Sequence, residues 1–392
     1  MFPVLSKVRK SAGIFVATLA SLALAACTTA TGPRPAGTAA AAGGAVQVAL
    51  LVPSGSGDAS DEALALSFQN AARLAIADLG GVAIDLKVYP TGSTPAGAQV
   101  AAQKAVTEGA EVILGPLRSE ESNAAAVAVA GSGVNVLSFS NNPAIAGGNL
   151  FVLGTTFKSS ADRLSRYAVR NGASRIMIVH DQSASGDAGR AAIQAGVTAA
   201  GGTIVGSGGY EFSQNGIVTA VPGLAAKAKA SGAQAVFLTA DSAGSLPLVS
   251  QLLRDNGLDT ATVRFIGLTR WDVPPQTAAL PSLQGGWFVL PDPGRISQFQ
   301  ARYQSAYGQP PLPLAELAYD GIAAIGALAS RKGDGPLSSA ALTQGAGFEG
   351  VAGIFRFLSD GTNERGLSIA QIQNNQVTVI DPAPRSFGGF GF

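Results

Sequence analysis

The sequence predicts an α/β protein of two doubly wound lobes, each a parallel sheet with helices on both faces. Three observations carry this. From Val46 onward, short apolar runs alternate with stretches of helical periodicity. After residue 155 the alternation restarts as a second series, and no long Pro/Ser-rich linker separates the two, so the lobes are expected to be closely coupled. Roughly 345 residues follow the N-terminal tract, more than one core usually organises.

The first series opens with VQVALLVP, a nearly continuous apolar run closed by proline, which suits a buried parallel strand. The polar loop SGSGDAS follows, ending in the cap residues Asp58 and Ser60. Leu64, Phe68, Ala71, Ala75 and Leu79 then recur at helical spacing, with Gly80-Gly81 as the stop. AIDLKVYPT reads as a strand, GAQVAAQKAVTEG as a helix, EVILGP as a strand and, after an Ala-rich helix, VNVLSFS as another strand. In the second series RIMIVHD, TIVGSGGYEF, AVFLTAD and VRFIGLT are strands, with helices over 188–200, 223–230 and 246–255. Near the C-terminus, GIFRFLSDG and SIAQIQNNQVTVI read as a hairpin or paired strands. The one G-x-G-x-x-G, Gly345 to Gly350, has no strand before it and no helix after it, and is read as a loop.

Composition narrows the chemistry. His180 is the sole histidine and Cys27 the sole cysteine, which excludes zinc sites of the Cys/His kind and a Cys–His nucleophile pair. No G-x-S-x-G elbow and no Gly-Lys of a P-loop occurs. Nothing points to a cofactor, and the protein is not read as an enzyme. No stretch reaches the length of a membrane-spanning helix without a charge or a breaker.

Lys7, Arg9 and Lys10 precede a short uncharged apolar core over 12–26, the layout of a secretory signal. Its end, Leu24-Ala25-Ala26-Cys27, resembles the lipobox of bacterial lipoproteins. That resemblance implies cleavage after residue 26 and lipidation of Cys27, with 27–45, rich in Ala, Gly, Thr and Pro, as a flexible tether. It also implies residence on the periplasmic face of a bacterial membrane, the outer one where the envelope has two. Three of the 26 Lys and Arg lie in the signal and none of the 25 Asp and Glu. The mature chain therefore carries 23 against 25, which gives no electrostatic case for nucleic acid.

Ligands of open parallel sheets sit beyond the carboxyl ends of the strands. The segments there are Pro53 to Ser56, Gly115 to Ser119, Ser138 to Asn141, His180 to Ser183, Ala240 to Ser242 and Thr269 to Asp272. They are mostly small and polar, and together with helix N-termini they suit a carboxylate.

The order of VALLVPSGSG, VILGPLRSEES, VNVLSFSNNP, IVHDQSASGDAGR and GVAGIFRFLSDG resembles the type I periplasmic binding proteins of the leucine/isoleucine/valine-binding group. The resemblance covers 46 to about 380 and implies two Rossmann-like lobes joined by a three-crossover hinge. By that pattern 46–153 plus 285–345 form lobe 1, 154–284 plus 346–381 form lobe 2, and 382–392 is a tail. It further implies a ligand clamp of Ser119, Ser138 and Ser140, with Arg118 beside it, and Asp181, Asp241, Trp271 and Asp272 as further ligand-facing positions. The implied role is capture of a small amino-acid-like or other carboxylate ligand for an ABC importer, with its permease as partner. The chain is also similar to the C-terminal domain of lipoproteins that activate penicillin-binding proteins, which implies instead a regulator whose partner is a periplasmic cell-wall synthase.

Overall fold

The computed structural model describes residues 44–331 and 335–388; Cys27, its signal and most of the tether lie outside them. The first sheet is wholly parallel: β1 (Val46–Val52), β2 (Ile84–Pro90), β3 (Val112–Leu114), β4 (Asn135–Ser138) and β5 (Leu150–Val152), in the order β2-β1-β3-β4-β5. Helices α1 (Ala59–Asp78), α2 (Pro95–Thr107) and α3 (Ser119–Val129) connect its strands. α1 begins where the sequence signals it: Asp58 accepts from the Ser60 N–H at 2.7 Å. Phe68, Ala71 and Ala75 are buried against the sheet, and Leu64 and Leu79 flank them.

The second series gives α4 (Phe157–Arg170), β6 (Arg175–Asp181), α5 (Ala184–Ala199), β7 (Thr203–Tyr210), α6 (Gln214–Ala230), β8 (Ala235–Leu238), α7 (Leu246–Asp255), β9 (Arg264–Gly267) and β10 (Trp287–Leu290). The chain continues through α8 (Pro293–Tyr307), α9 (Ala315–Ala329), α10 (Ser339–Leu342), β11 (Phe348–Gly350), β12 (Gly353–Phe357), β13 (Asn363–Arg365), β14 (Ser368–Gln373) and β15 (Gln376–Asp381). The second sheet runs β15-β14-β10-β9-β8-β6-β7, parallel except at β14 and β15.

Several expectations are corrected. α5 starts four residues earlier than read, because Ser183 caps it onto the Gly186 N–H at 3.0 Å. α6 starts at Gln214, not 223, and carries Pro222 inside. The buried stripe Ile217, Val221, Leu224 and Ala225 holds the helix through the proline. Half of the Gly345–Gly350 segment is strand β11, not loop. GIFRFLSDG does not pair with SIAQIQNNQVTVI. Its strand β12 lies between β11 and β13 in a small antiparallel sheet, while the second segment folds on itself as the β14–β15 hairpin. Asn374 and Asn375, both at positive φ, make the two-residue turn of that hairpin.

The lobe boundaries move accordingly. β10, expected in lobe 1, pairs with β9 and β14 in the second sheet. Phe348, Phe355 and Phe357, expected in lobe 2, complete the core beneath the first sheet together with Phe68, Phe139, Phe299 and Tyr303. The chain therefore crosses between lobes at about residues 153–156, 291–292 and 366–367.

A buried ion pair ties these crossovers together. Arg365 donates to Asp320 at 2.9 Å, with side chains 2 % and 0 % exposed. The same guanidinium donates twice to the Leu153 carbonyl at the first crossover, at 2.9 and 2.7 Å. Asp320 accepts the Val351 N–H at 2.8 Å, and the next carbonyl, that of Ala352, accepts the Asp292 N–H of the second crossover at 3.3 Å. Gly350 has to be glycine here, since a Cβ would stand 2.1 Å from Asp320 Oδ1. Asp320→Ala leaves Arg365 buried and unpaired, so it is expected to cost about 3–5 kcal/mol, measured as a shift in the denaturant midpoint at unchanged slope.

Candidate functional site

A cavity of about 340 Å³ lies where the two lobes and the crossovers meet. From the first lobe it is lined by Leu117, Phe139, Ser140 and Asn141, and by Leu314, Glu316 and Leu317 at the start of α9. The second lobe supplies Phe157, Ser160, Leu268, Thr269, Arg270 and Leu290, and the crossovers supply Gly154, Thr155, Pro291 and Leu367. With Val289, ten of the lining side chains are apolar; the polar groups are few and separate.

Of the residues expected at a ligand site, Ser140 lines this cavity. It is 5 % exposed, and its hydroxyl pairs with that of Ser119 at 3.1 Å while accepting the Asn142 N–H at 3.1 Å. Ser119 thus stands behind Ser140, outside the lining. Ser138 is fully buried and turned inward. It bonds the Ser122 hydroxyl at 2.7 Å and the Pro116 carbonyl at 3.3 Å, and accepts the Ser140 N–H at 3.0 Å. The expected convergence of three serines is therefore a relay that fixes the β3 and β4 loops, with one hydroxyl at the cavity.

The remaining candidates are held elsewhere. Arg118 donates to Asp61 and Ser93, each at 2.7 Å, and to Glu121 at 3.3 Å, which locks the loops after β1, β2 and β3 together. The Ser93 hydroxyl and then Arg118 hold the Asp61 carboxyl below its usual pKa. Asp181 is buried and accepts from Ser183 and Thr239. Asp241 is exposed and outside the cavity. Trp271 is fully buried in the second-lobe core, stacked on Phe288 at 6.0 Å and seated against Gly267 and Gly286, where a Cβ would stand 2.2 and 2.5 Å from its ring. Asp272 does not line the cavity but grips Arg270 through both carboxylate oxygens, one at 2.9 Å.

Two charged residues that do line it were not singled out from sequence. Arg270 lies in a segment marked by the strand-end rule, between residues picked instead. Burial works against its charge, but the hydrogen bonds it donates to Asp272 outweigh that, with the nearby carboxylate charges, and hold its pKa up. Glu316 comes from the first turn of α9, after Pro310-Pro311-Leu312-Pro313-Leu314, where no strand end marks it. Among the described residues it makes no ion pair within 4 Å. Burial pushes its carboxyl up; its own N–H pulls down, Asp320 adds to the rise, and Arg270 and Arg365 oppose it. Leu314, at φ 75°, holds a left-handed conformation that is strained for leucine and aims the helix start at the cavity. Among the described residues no cluster of His, Cys, Asp and Glu is able to hold a metal, and no helix is long and apolar enough to cross a membrane.

Two outcomes follow from this geometry. Ser138→Ala should lower unfolding stability by about 1–3 kcal/mol, because the Ser140 N–H and Ser122 lose a buried partner, whereas Ser140→Ala should cost less. Glu316→Gln should raise stability at neutral pH. A carboxyl whose folded pKa is raised favours folding when protonated and loses that contribution as pH rises through the folded pKa. The advantage of the amide over wild type should therefore vanish on acidification below the ordinary carboxylate range, as read by thermal melts across pH.

Comparison places the chain among known proteins. The periplasmic binding protein family model matches residues 45–376. A search of curated protein sequences finds no significant match. Among solved structures, a putative branched-chain amino acid ABC transporter protein of Rhodospirillum rubrum is similar at TM-score 0.72 and 19 % identity, over 86 % of this chain and 100 % of that one. A substrate-binding protein of Desulfitobacterium hafniense, in complex with Leu, is similar at 0.65 and 20 %, over 86 % and 100 %. A solute-binding protein of Rhodopseudomonas palustris, in complex with 3,4-dihydroxybenzoic acid, is similar at 0.58 and 20 %, over 86 % and 96 %. The family match over most of the chain agrees with the two mainly parallel sheets and three crossovers, and the chain belongs to the type I periplasmic binding proteins.

Proposed function

We propose that this chain is the solute-binding component of an ABC importer and captures a small ligand with a largely apolar body in the cleft between its lobes. The observation that carries the reading is the cavity at the crossovers. Apolar side chains from both lobes enclose it, and Ser140, Asn141, Thr155, Ser160 and Thr269 offer hydrogen bonds at separate points. Leucine and 3,4-dihydroxybenzoate, the ligands named for two of the similar structures, each join a carboxylate to an apolar body. A carboxylate here would meet neutral donors around Ser140 and the guanidinium of Arg270. The ligand would be handed to a permease, its partner at the membrane. Lipidation of Cys27 is part of the same proposal and would hold the protein on the periplasmic face of a membrane.

A second reading has one observation in its favour. Ser138 faces inward and Ser119 stands behind Ser140, so the expected clamp reduces to one hydroxyl at the cavity. A regulatory lipoprotein acting on a cell-wall synthase through protein contacts would need no more.

Native mass spectrometry of the membrane-extracted protein decides between them, with scattering before and after ligand release. A retained small molecule, and a radius of gyration that grows when it is removed, are expected. An empty cleft and a radius that no ligand alters would favour the regulator. Intact mass should show Cys27 as an acylated N-terminus.

A further inference from the structure

We propose that Glu316 serves the cleft as a neutral carboxyl that donates its O–H to the carboxylate of an apolar monoanion, so that anion and proton are captured together; this rests on the solute-binding reading above. The argument begins with what Glu316 lacks. It is half-buried on the cavity wall. Apart from its own N–H it has, among the described residues, no hydrogen-bond partner and no ion pair within 4 Å. Leu314 and Leu317 flank it on α9, and most of the remaining wall is apolar. A carboxylate in such surroundings loses hydration and gains no donor, so the neutral acid is the form the site tolerates. The neighbouring charges do not reverse this. Arg270, the other charged residue on the wall, is gripped by Asp272. Asp320, one turn further along α9, is matched by Arg365. Neither cation is left over for Glu316. Burial is the largest influence on its carboxyl and pushes it up; its own N–H pulls down, Asp320 adds to the rise, and Arg270 and Arg365 oppose it.

The proton decides what Glu316 offers a ligand. Ionised, it has only acceptors; protonated, it has one O–H to donate. An O–H donated to a carboxylate is a short, charge-assisted bond. Arg270 and Ser140 stand on other segments of the same wall. A carboxylate entering the cavity therefore finds a guanidinium, a hydroxyl and the Glu316 O–H as donors. With Glu316 ionised, the same anion would meet a like charge in a poorly screened space. The bond broken and the bond made balance without a co-reactant: the proton stays on Glu316 and is shared across one hydrogen bond. A ligand that prefers the protonated form binds fully below the pKa of Glu316 in the free protein. Its affinity then falls as pH rises through that pKa, by up to ~10-fold per pH unit for one proton.

The test uses 3-phenylpropanoate, with its uncharged amide 3-phenylpropanamide as control. Calorimetry on the full-length protein, freed of bound material, runs from about pH 6 to pH 9, above the range in which the probe itself titrates. Each point is repeated in two buffers of different ionisation enthalpy, which reads proton uptake directly. Wild type should bind the anion with an affinity that falls as pH rises, and should take up close to one proton on the falling limb. The amide control should show neither effect. Glu316→Gln keeps a donor and cannot titrate, so it should bind the anion at all pH values about as tightly as wild type does at the acid end, with no proton uptake. Glu316→Leu removes the donor and should lose ~10- to 100-fold at the acid end. An anion affinity in wild type that is flat or rises with pH, a pH profile that survives in Glu316→Gln, or no binding of the anion would overturn the proposal. Native mass spectrometry separates that failure from the failure of the broader reading. A retained molecule without an acidic group would leave the cleft a binding site and remove the shared proton. A cleft that retains nothing and takes up nothing from a metabolite extract would end both.

Discussion

The ion pair of Arg365 with Asp320 is the point on which the two-lobed arrangement turns. Two charges without solvent contact are tolerable only when every lone pair and N–H near them is used. Here each of those uses falls on a chain crossing or next to one. Arg365 fastens the Leu153 carbonyl, Asp320 fastens the Val351 N–H, and Asn363 adds bonds to the carbonyls of Val152 and Gly154 at 2.7 and 2.8 Å. All of this sits on the first-lobe side of the crossings. On the other side Arg163 of α4 donates to the Leu367 carbonyl at 2.9 Å and pairs with Asp381 at 3.0 Å. Only a few residues of each crossing lie between these two anchorages.

The cavity inherits its position from that arrangement. Gly154, Thr155, Pro291 and Leu367 belong to the crossings and also form cavity wall. A molecule bound there would touch the segments that join the lobes, besides touching each lobe. Leu314 adds a rigid element on the first-lobe side. Its left-handed backbone starts α9 without a side-chain cap, and the helix that follows is pinned by Asp320 one turn inward. Strain is tolerable beside such an anchor, which keeps the start of the helix, and with it Glu316, in place.

The fold was legible because its signals are local. Apolar runs closed by Pro or Gly, caps such as Asp58, and helical spacing each act within a few residues of one another. Register between lobes is not local. β10 and β14 lie about eighty residues apart and pair because their apolar faces meet Phe265 and Trp271, which no window of sequence displays. The site was half legible for the same reason. The strand-end rule located the segments holding Ser140, Asn141, Thr269 and Arg270, which do line the cavity. It could not tell Arg270 from Trp271. That choice depends on Gly267 and Gly286, nineteen residues apart, leaving a slot for one indole. Nor does it reach Glu316, which arrives from a helix start and not from a strand end.

The first lobe is discontinuous in a way that bears on how the chain comes off the ribosome. Its sheet is made first, from residues 46 to 152, but the face of that sheet packed on Phe68 and Phe139 waits for Phe299, Tyr303, Ile322, Phe355 and Phe357. By then β6 to β10 of the second lobe, with α4 to α7 around them, have already been synthesised. For more than a hundred residues of elongation the nascent chain carries an N-terminal sheet with one apolar face covered only in part, by α1. The lobe begun first is thus completed only after β6 to β10 of the second have been made, an interval in which exposed apolar surface is prone to association with other chains.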